Sequence, residues 1–454
     1  MTTATLSTAA GASVLYRRIW RWHFFAGLVC VPFILSLAVT GALYLFHAQI
    51  DDLVYRSALL RRDAGPALPP SRLIAAAINA YPGQAGAITL PGDSRHTVQV
   101  DVVRPGGTLQ VFLDPGTSRV AGAIEEESRI MTTVKHIHSL AIAGTPGKVV
   151  IEIVAGWIIV LIATGAYLWW PRGRTAGVVA IRPNAQGRTW WRDLHAVTGA
   201  FGGIVILFLA LTGMPWSVVW GANVNAWLTA HGLGVPPGMW VGVPKSDLPA
   251  SALGTLPWAQ QQEAVPASMD PHAMHKGMQM AAVPQPHVHV AGLGVDTIVA
   301  SARITGGYRL ALPRDARGVY SMIQMPGPVE AQRVRHYDQY SGRLLRDIRG
   351  TDIGAVGRVT EWGVAVHQGQ QYGWPNLLVM LAGCLALICL CISGMVVWWK
   401  RRPAGKLAAP ARKDGDRLAK GVLAIAVVLG CVFPLLGASM LAVLSLDYLI
   451  APAV

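Results

Sequence analysis

"RWHFFAGLVCVPFILSLAVTGALYLF" (residues 21–46) decides the fold. From residue 24 to residue 46 it carries no charge, and at about 1.5 Å of rise per helical residue that run crosses a hydrocarbon core of about 30 Å. Similar runs at 149–170, 196–220, 376–399 and 421–446 predict five transmembrane helices, the second holding one acid, Glu152. Composition agrees: 52% of the 454 residues are hydrophobic and only 14% charged, against roughly 25% charged in an ordinary soluble domain. A cleaved signal peptide is the alternative for the first run. Its apolar stretch is too long for one and no A-x-A-like site follows, so the helix is expected to stay.

The formal charge of +14 does not point to nucleic acid, because the basic residues sit beside the spans. Arg17, Arg18 and Arg21 precede the first; Arg172, Arg174, Arg182, Arg188 and Arg192 lie between the second and third; Lys400 to Lys420 follow the fourth. Under the positive-inside rule this places 1–23, 171–195 and 400–420 in the cytoplasm, with 47–148, 221–375 and the terminus 447–454 on the other side. Cys30, Cys384, Cys389, Cys391 and Cys431 all fall within spans, so no disulfide framework is expected outside. Cys389 and Cys391 point to different helix faces and are read as packing.

The chain is written twice. His23 precedes Thr40-Gly41 by 17 residues, and His195 precedes Thr212-Gly213 by 17. His138 is followed at +6, +8, +27 and +31/+32 by Gly144, Pro146, Gly165 and Trp169-Trp170; His367 is followed at the same offsets by Gly373, Pro375, Gly394 and Trp398-Trp399. Each half holds a helical pattern outside the membrane, "SRLIAAAINAY" or "VDTIVASAR", and alternating stretches such as "TVQVDVV" and "VYSMIQM" that read as strands. "FLDPGTSRVAG" (112–122) answers "HYDQYSGRLLRD" (336–347). The expectation is a membrane helical bundle of duplicated span, domain, span units, with two small external α+β domains.

His23 and His195 are placed at one depth near the cytoplasmic edge, and His138 and His367 near the external face. Imidazole close to hydrocarbon is costly without a partner and is well suited to iron or another transition metal. Two imidazoles facing each other across a bundle can fill both axial positions of a b-type haem, leaving an electron-transfer site. Interfacial anchoring is the plainer alternative for any one of them. Gly27 and Gly199, one turn after their histidines, are candidates for admitting a porphyrin edge, and Gly144 and Gly373 for the same role outside. One helix from 138 to 165 would run about 40 Å, so His138 is expected on a bent segment before Pro146. His136 is its rival, although position 365 in the second copy is Ala. His47, His231, His96 and His336 are read as interfacial or surface residues, and the Trp pairs as an aromatic belt.

The parts resemble, in order, the PepSY-associated transmembrane proteins, often called iron-uptake or ferric-siderophore reductases of the bacterial inner membrane. "RWHFFAGL" (21–28), "HSLAIAG" (138–144), "TGAYLWWPR" (164–172), "RDLHAVTGAFG" (192–202) and "HQGQQYGWPN" (367–376) carry the resemblance. It covers nearly all of 15–403 and implies two b-type haems on the four histidines, PepSY-like external domains and a ferric-siderophore as electron acceptor. No Rossmann fingerprint or P-loop is present, so the donor is expected to be a separate cytoplasmic protein or a quinol.

Outside the resemblance lies "PWAQQQEAVPASMDPHAMHKGMQMAAVPQPHVHV" (257–290), expected as a disordered external loop. Its Met269, His272, Met274, His275, Met278, Met280, His287 and His289 offer thioether and imidazole donors suited to copper(I). The leading expectation is a haem-dependent metalloreductase; the alternatives are a non-redox PepSY regulatory or binding protein and a copper-handling membrane protein.

Overall fold

The structure is a computed structural model and describes residues 2–62, 65–171, 177–240, 242–269, 293–325, 327–402 and 420–450. The first copy consists of α1 (Thr2–Tyr44), α2 (His47–Val54), α3 (Arg56–Leu59), α4 (Pro70–Ala80), β1 (Gln84–Leu90), β2 (Val98–Arg104), β3 (Gly107–Leu113), β4 (Val120–Glu125), α5 (Ile130–His138) and α6 (Gly144–Trp169). The second runs through α7 (Gly187–Gly213), α8 (Trp220–Ala230), β5 (Lys245–Pro249), β6 (Ala264–Pro266), α9 (Val295–Ala302), β7 (Tyr308–Ala311), β8 (Val319–Gln324), β9 (Arg333–Asp338), β10 (Leu344–Arg349), α10 (Ala355–His367) and α11 (Trp374–Trp399). Helices α12 (Lys420–Val432) and α13 (Pro434–Ile450) end the chain.

Among the described residues four helical segments are long and apolar enough to cross a membrane: Leu15–Tyr44, Ala141–Trp169, Gly187–Trp216 and Trp374–Trp399. A helix suits hydrocarbon because it satisfies every backbone polar group within itself. The four pack so that each helix lies on its partner in the same copy and on one helix of the other: α1 lies on α6 and α11, and α7 on α6 and α11. Between the ends the core is apolar, with Cys30, Ile34, Val154, Trp157 and Ile206 buried together. The one acid in this region, Glu152, accepts the Val219 and Trp220 backbone N–H groups and so neutralises the exposed donors at the start of α8. All five cysteines are free.

The fifth expected span is corrected. It breaks at Phe433, before Pro434, into two shorter helices. Seven residues of straight helix span about 10 Å, yet a Cβ on Gly437 would lie 2.7 Å from the Gly430 Cα, so the chain doubles back there. Proline cannot donate to the preceding turn, and Leu436 and Ser439 anchor the returning helix on α6 through Gly156 and the Trp157 indole N–H.

The two external domains are not separate either. One antiparallel sheet of eight strands joins them in the order β10-β9-β8-β7-β1-β2-β3-β4. Its two halves meet at β1 and β7, with Ala87 opposite Ala311, Ile88 opposite Leu310 and Leu90 opposite Tyr308. Each copy alone would leave the edge of its first strand open, and pairing the two removes both edges. Helices α4 and α9 cover one face of the sheet, burying Leu73, Ala77, Ile298 and Ala302 against Ile88, Val100 and Leu310. The Asp296 carboxylate accepts the Ser71 backbone N–H at 2.9 Å and so ties the two helices together.

The first part of the insert, expected to be disordered, is packed. Trp258, Ala259 and Gln260 are buried, and β5 with β6 pairs over Ala311, Val319, Ile323 and Val334. Its backbone polar groups find partners on neighbouring loops, on α8 and on α10, with Ala267 donating to the Pro244 carbonyl, Ser268 to the Arg317 carbonyl and Ala259 to the Glu361 carboxylate, which composition alone does not reveal.

Candidate cofactor site

Four histidines recur in one local geometry. At the bundle end away from the sheet, His23 of α1 lies against α6 with Nδ1 2.9 Å from the Thr164 hydroxyl, and His195 of α7 lies against α11 with Nδ1 3.1 Å from the Leu390 carbonyl and 3.2 Å from the Ser393 hydroxyl. At the sheet end His138 meets Thr40 at 3.0 Å and His367 meets Thr212 at 2.9 Å.

These hydroxyls fix the tautomer. Each has one proton, and it is given to the carbonyl one turn back: Thr164 to Val160 at 2.7 Å, Ser393 to Cys389 at 2.6 Å, Thr212 to Phe208 at 2.6 Å and Thr40 to Ser36 at 2.5 Å. The hydroxyl oxygen is left to accept, so Nδ1–H donates and the Nε2 lone pair is free. This is the arrangement in which a second hydrogen bond orients a metal-binding imidazole and raises its basicity.

A glycine follows each hydroxyl residue, and the ring edge rests on it. A Cβ at Gly165 would stand 3.2 Å from His23 Cε1, at Gly394 3.4 Å from His195 Cε1, at Gly41 3.3 Å from His138 Cε1 and at Gly213 3.7 Å from His367 Cε1. A hydroxyl residue followed by glycine is therefore a cradle used four times, each time by a histidine of the same copy. In the sequence these glycines are landmarks of the repeat with no visible role, because each ring and its cradle lie on different helices.

Across copies the rings face each other. The His23 and His195 ring centres are 6.3 Å apart with their planes at 87°. A metal–imidazole bond of about 2 Å on each side, plus roughly 1 Å from nitrogen to ring centre, gives about 6 Å. Each ring can rotate about its own bond, so perpendicular planes are compatible with one shared ion. His138 and His367 lie within electrostatic reach of one another.

Around His23 and His195 is a cavity of about 580 Å³, within the range of small-molecule and cofactor sites. Gly27 and Gly199 line it, with Leu161 and Leu390 their nearest neighbours. Two imidazoles supply only two donors, so a metal held by His23 and His195 would need its remaining donors from a bound group such as a tetrapyrrole, which the cavity has room for. The free Nε2 atoms, the ring separation and the apolar cavity all suit a bis-histidine haem.

The other candidates fall elsewhere. Gly144 and Gly373 start α6 and α11 with φ of +66° and +63°, a conformation that favours glycine, so they turn the chain into the spans and touch no imidazole. His136 approaches Glu127 at 3.7 Å, while His138, two residues on, turns to Thr40. The expected bend after His138 is present, with Leu140 left-handed at φ 50°. Trp169 and Trp398, read as belt residues, also line the cavity.

His47, at the start of α2, donates from Nδ1 to the Tyr44 carbonyl at the end of α1, and His231, just after α8, donates from Nδ1 to the Trp227 carbonyl. His96 joins Asp93 to Asp52; partial burial works against its charge, but the two carboxylates outweigh it and raise its pKa. His336 corrects the surface reading, for it is 3% exposed, bonded to Ser321, and pushed down to about 3 by burial and by Arg346. Of the proposed copper ligands Met269 is half exposed; His272, Met274, His275, Met278, Met280, His287 and His289 lie outside the described residues.

These features define a class, a membrane-associated helical protein made of two span, α+β, span units that share one antiparallel sheet, with the His23 and His195 rings facing each other across the copies. The chain belongs to the PepSY-associated transmembrane family: the family's PepSY-associated TM region matches residues 20–401. That match takes in both copies and all four cradled histidines and stops before α12. A search of curated proteins finds no match.

Proposed function

We propose that this protein is a di-haem reductase of the bacterial inner membrane, its N-terminus cytoplasmic, that carries electrons outward to a ferric-siderophore and so releases Fe(II). The observation that carries the reading is the His23 and His195 pair, 6.3 Å apart, with Nδ1 engaged and Nε2 free. The matching cradles at Thr40-Gly41 and Thr212-Gly213 support a second site near the sheet. Seventeen residues of α1 separate His23 from Thr40, a depth of about 25 Å.

When bound, each haem supplies a one-electron Fe(III)/Fe(II) couple. His23, His195, His138 and His367 bind and orient, and Thr164, Ser393, Thr40 and Thr212 hold the Nδ1 protons in place. The apolar core between the levels keeps water from the interior. The acceptor is met on the sheet side, where hard oxygen donors that suit Fe(III) release the softer Fe(II).

The test is a proteoliposome with a reductant inside and a ferric hydroxamate outside, with Fe(II) trapped by an external chelator. Outward reduction is expected with the wild-type chain and lost in His23→Ala and His367→Ala. Reduction unchanged in both variants refutes the proposal.

A further inference from the structure

The cavity around His23 and His195 changes character along its length. Its walls are apolar, with Ile158, Leu161, Leu387 and Leu390, but Arg192 and Arg401 line it as well. Arg192 donates to Asp193 from Nε at 3.2 Å and Nη2 at 2.8 Å, and Arg182 reaches the same carboxylate from Nε at 2.7 Å and Nη2 at 3.1 Å. One carboxylate thus answers two guanidinium groups. Arg401 stands 4.1 Å over the Trp20 ring, beside the cavity and within electrostatic reach of Arg188, so the cluster keeps an excess of positive charge.

Such an excess beside an apolar slot favours a ligand with an apolar body and an acidic edge. The geometry points to Arg192 and Arg401 as the seat of the ligand's carboxylates, so that a tetrapyrrole dicarboxylic acid enters this site in one direction only, its ring between His23 and His195 and its acid groups at the arginines. This rests on the haem reading and adds to it the residues that set orientation. The reason is solvation: a carboxylate turned toward Cys30 and Ile34 at the centre of the bundle loses water and gains no partner, whereas at Arg401 it meets a fork of N–H donors on the solvent side of the span.

The test uses the full-length chain in detergent, in the His138→Ala/His367→Ala background, so that only the His23 and His195 site loads. Binding of haem b and of its dimethyl ester, in which both acid groups are blocked, is followed by the rise of the low-spin absorption band. Haem b is expected to bind at least about tenfold more tightly than the ester, in line with charge-assisted hydrogen bonds. Arg401→Gln should shrink that ratio several-fold while leaving ester binding unchanged, and Arg401→Lys should recover part of it. The ester comparison needs no variant at the mouth, so misfolding of Arg401→Gln does not decide the matter. Equal binding of both compounds with a low-spin spectrum overturns the arginine seat and leaves the histidine site standing. No low-spin spectrum with either compound overturns the haem reading and this inference with it.

Discussion

Thr164→Val keeps the shape of the side chain and removes the oxygen that accepts from His23 Nδ1 at 2.9 Å. Loss of a hydrogen-bond partner behind a metal-binding imidazole typically costs 10–100-fold in affinity. The lower end is taken here, because valine keeps the shape of the side chain and the ring stays seated on Gly165. The expected loss is about tenfold in haem retention, or about 1.4 kcal/mol. A less basic imidazole also favours Fe(II), so the midpoint potential should rise, by at most about 59 mV for a tenfold change in relative affinity.

Ser393→Ala should cost less, because His195 Nδ1 already shares its proton between the Leu390 carbonyl at 3.1 Å and Ser393 at 3.2 Å. The assay is haem transfer to an excess of a scavenging apoprotein, read with a redox titration of the same samples. Off-rate and potential both unchanged in Thr164→Val would show that Thr164 does not hold the proton, and the argument for a free Nε2 would fall.

Other outcomes follow from the same geometry. Gly165→Ala should be tolerated with slightly faster haem loss, since the new Cβ meets His23 Cε1 at 3.2 Å, whereas Gly165→Leu should abolish the low-spin band; equal spectra in both would show the ring elsewhere. Leu310→Ala, at a fully buried position next to the β1–β7 junction, should destabilise by about 2–5 kcal/mol. Limited proteolysis should then open both sheet halves together; loss of the second copy's strands alone would contradict a single sheet.

Glu361 is raised from 4.5 to about 7 by burial, against the opposing pull of the Ala259 and Trp258 backbone N–H groups. Its folded state holds a proton that the unfolded chain releases, so stability falls as pH rises from about 4.5 to about 7, by on the order of 3 kcal/mol in all. Glu361→Gln should leave the thermal midpoint near pH 4.5 almost unchanged and raise it near pH 8, and a variant less stable at both values would refute the assignment.

Much of this architecture is legible in the linear chain because each signal is local. Uncharged runs declare four spans, and the offsets that repeat from His138 to Gly165 and from His367 to Gly394 declare two copies. The same repeat favours His138 over its rival His136, since only the former has a counterpart. What escaped is what pairs at long range. Nothing in "QAGAITL" says that its free edge meets "YRLA", some 220 residues later. Hydropathy hid the break at Phe433–Pro434, although proline there is a local signal that outweighs a high apolar average. The hydroxyl cradles were invisible for a different reason: Thr164 lies 141 residues from His23, and a threonine in a span reads as filler until the facing helix is known.

Haem stoichiometry in the histidine variants tests the central claim most directly, because the geometry assigns partners across copies rather than within them. The pyridine haemochrome assay should give two haems per wild-type chain, one in His23→Ala, in His195→Ala and in the two combined, and none in His23→Ala/His138→Ala. Two haems retained in His23→Ala/His195→Ala, or none left in it, would contradict the pairing of rings across the two copies.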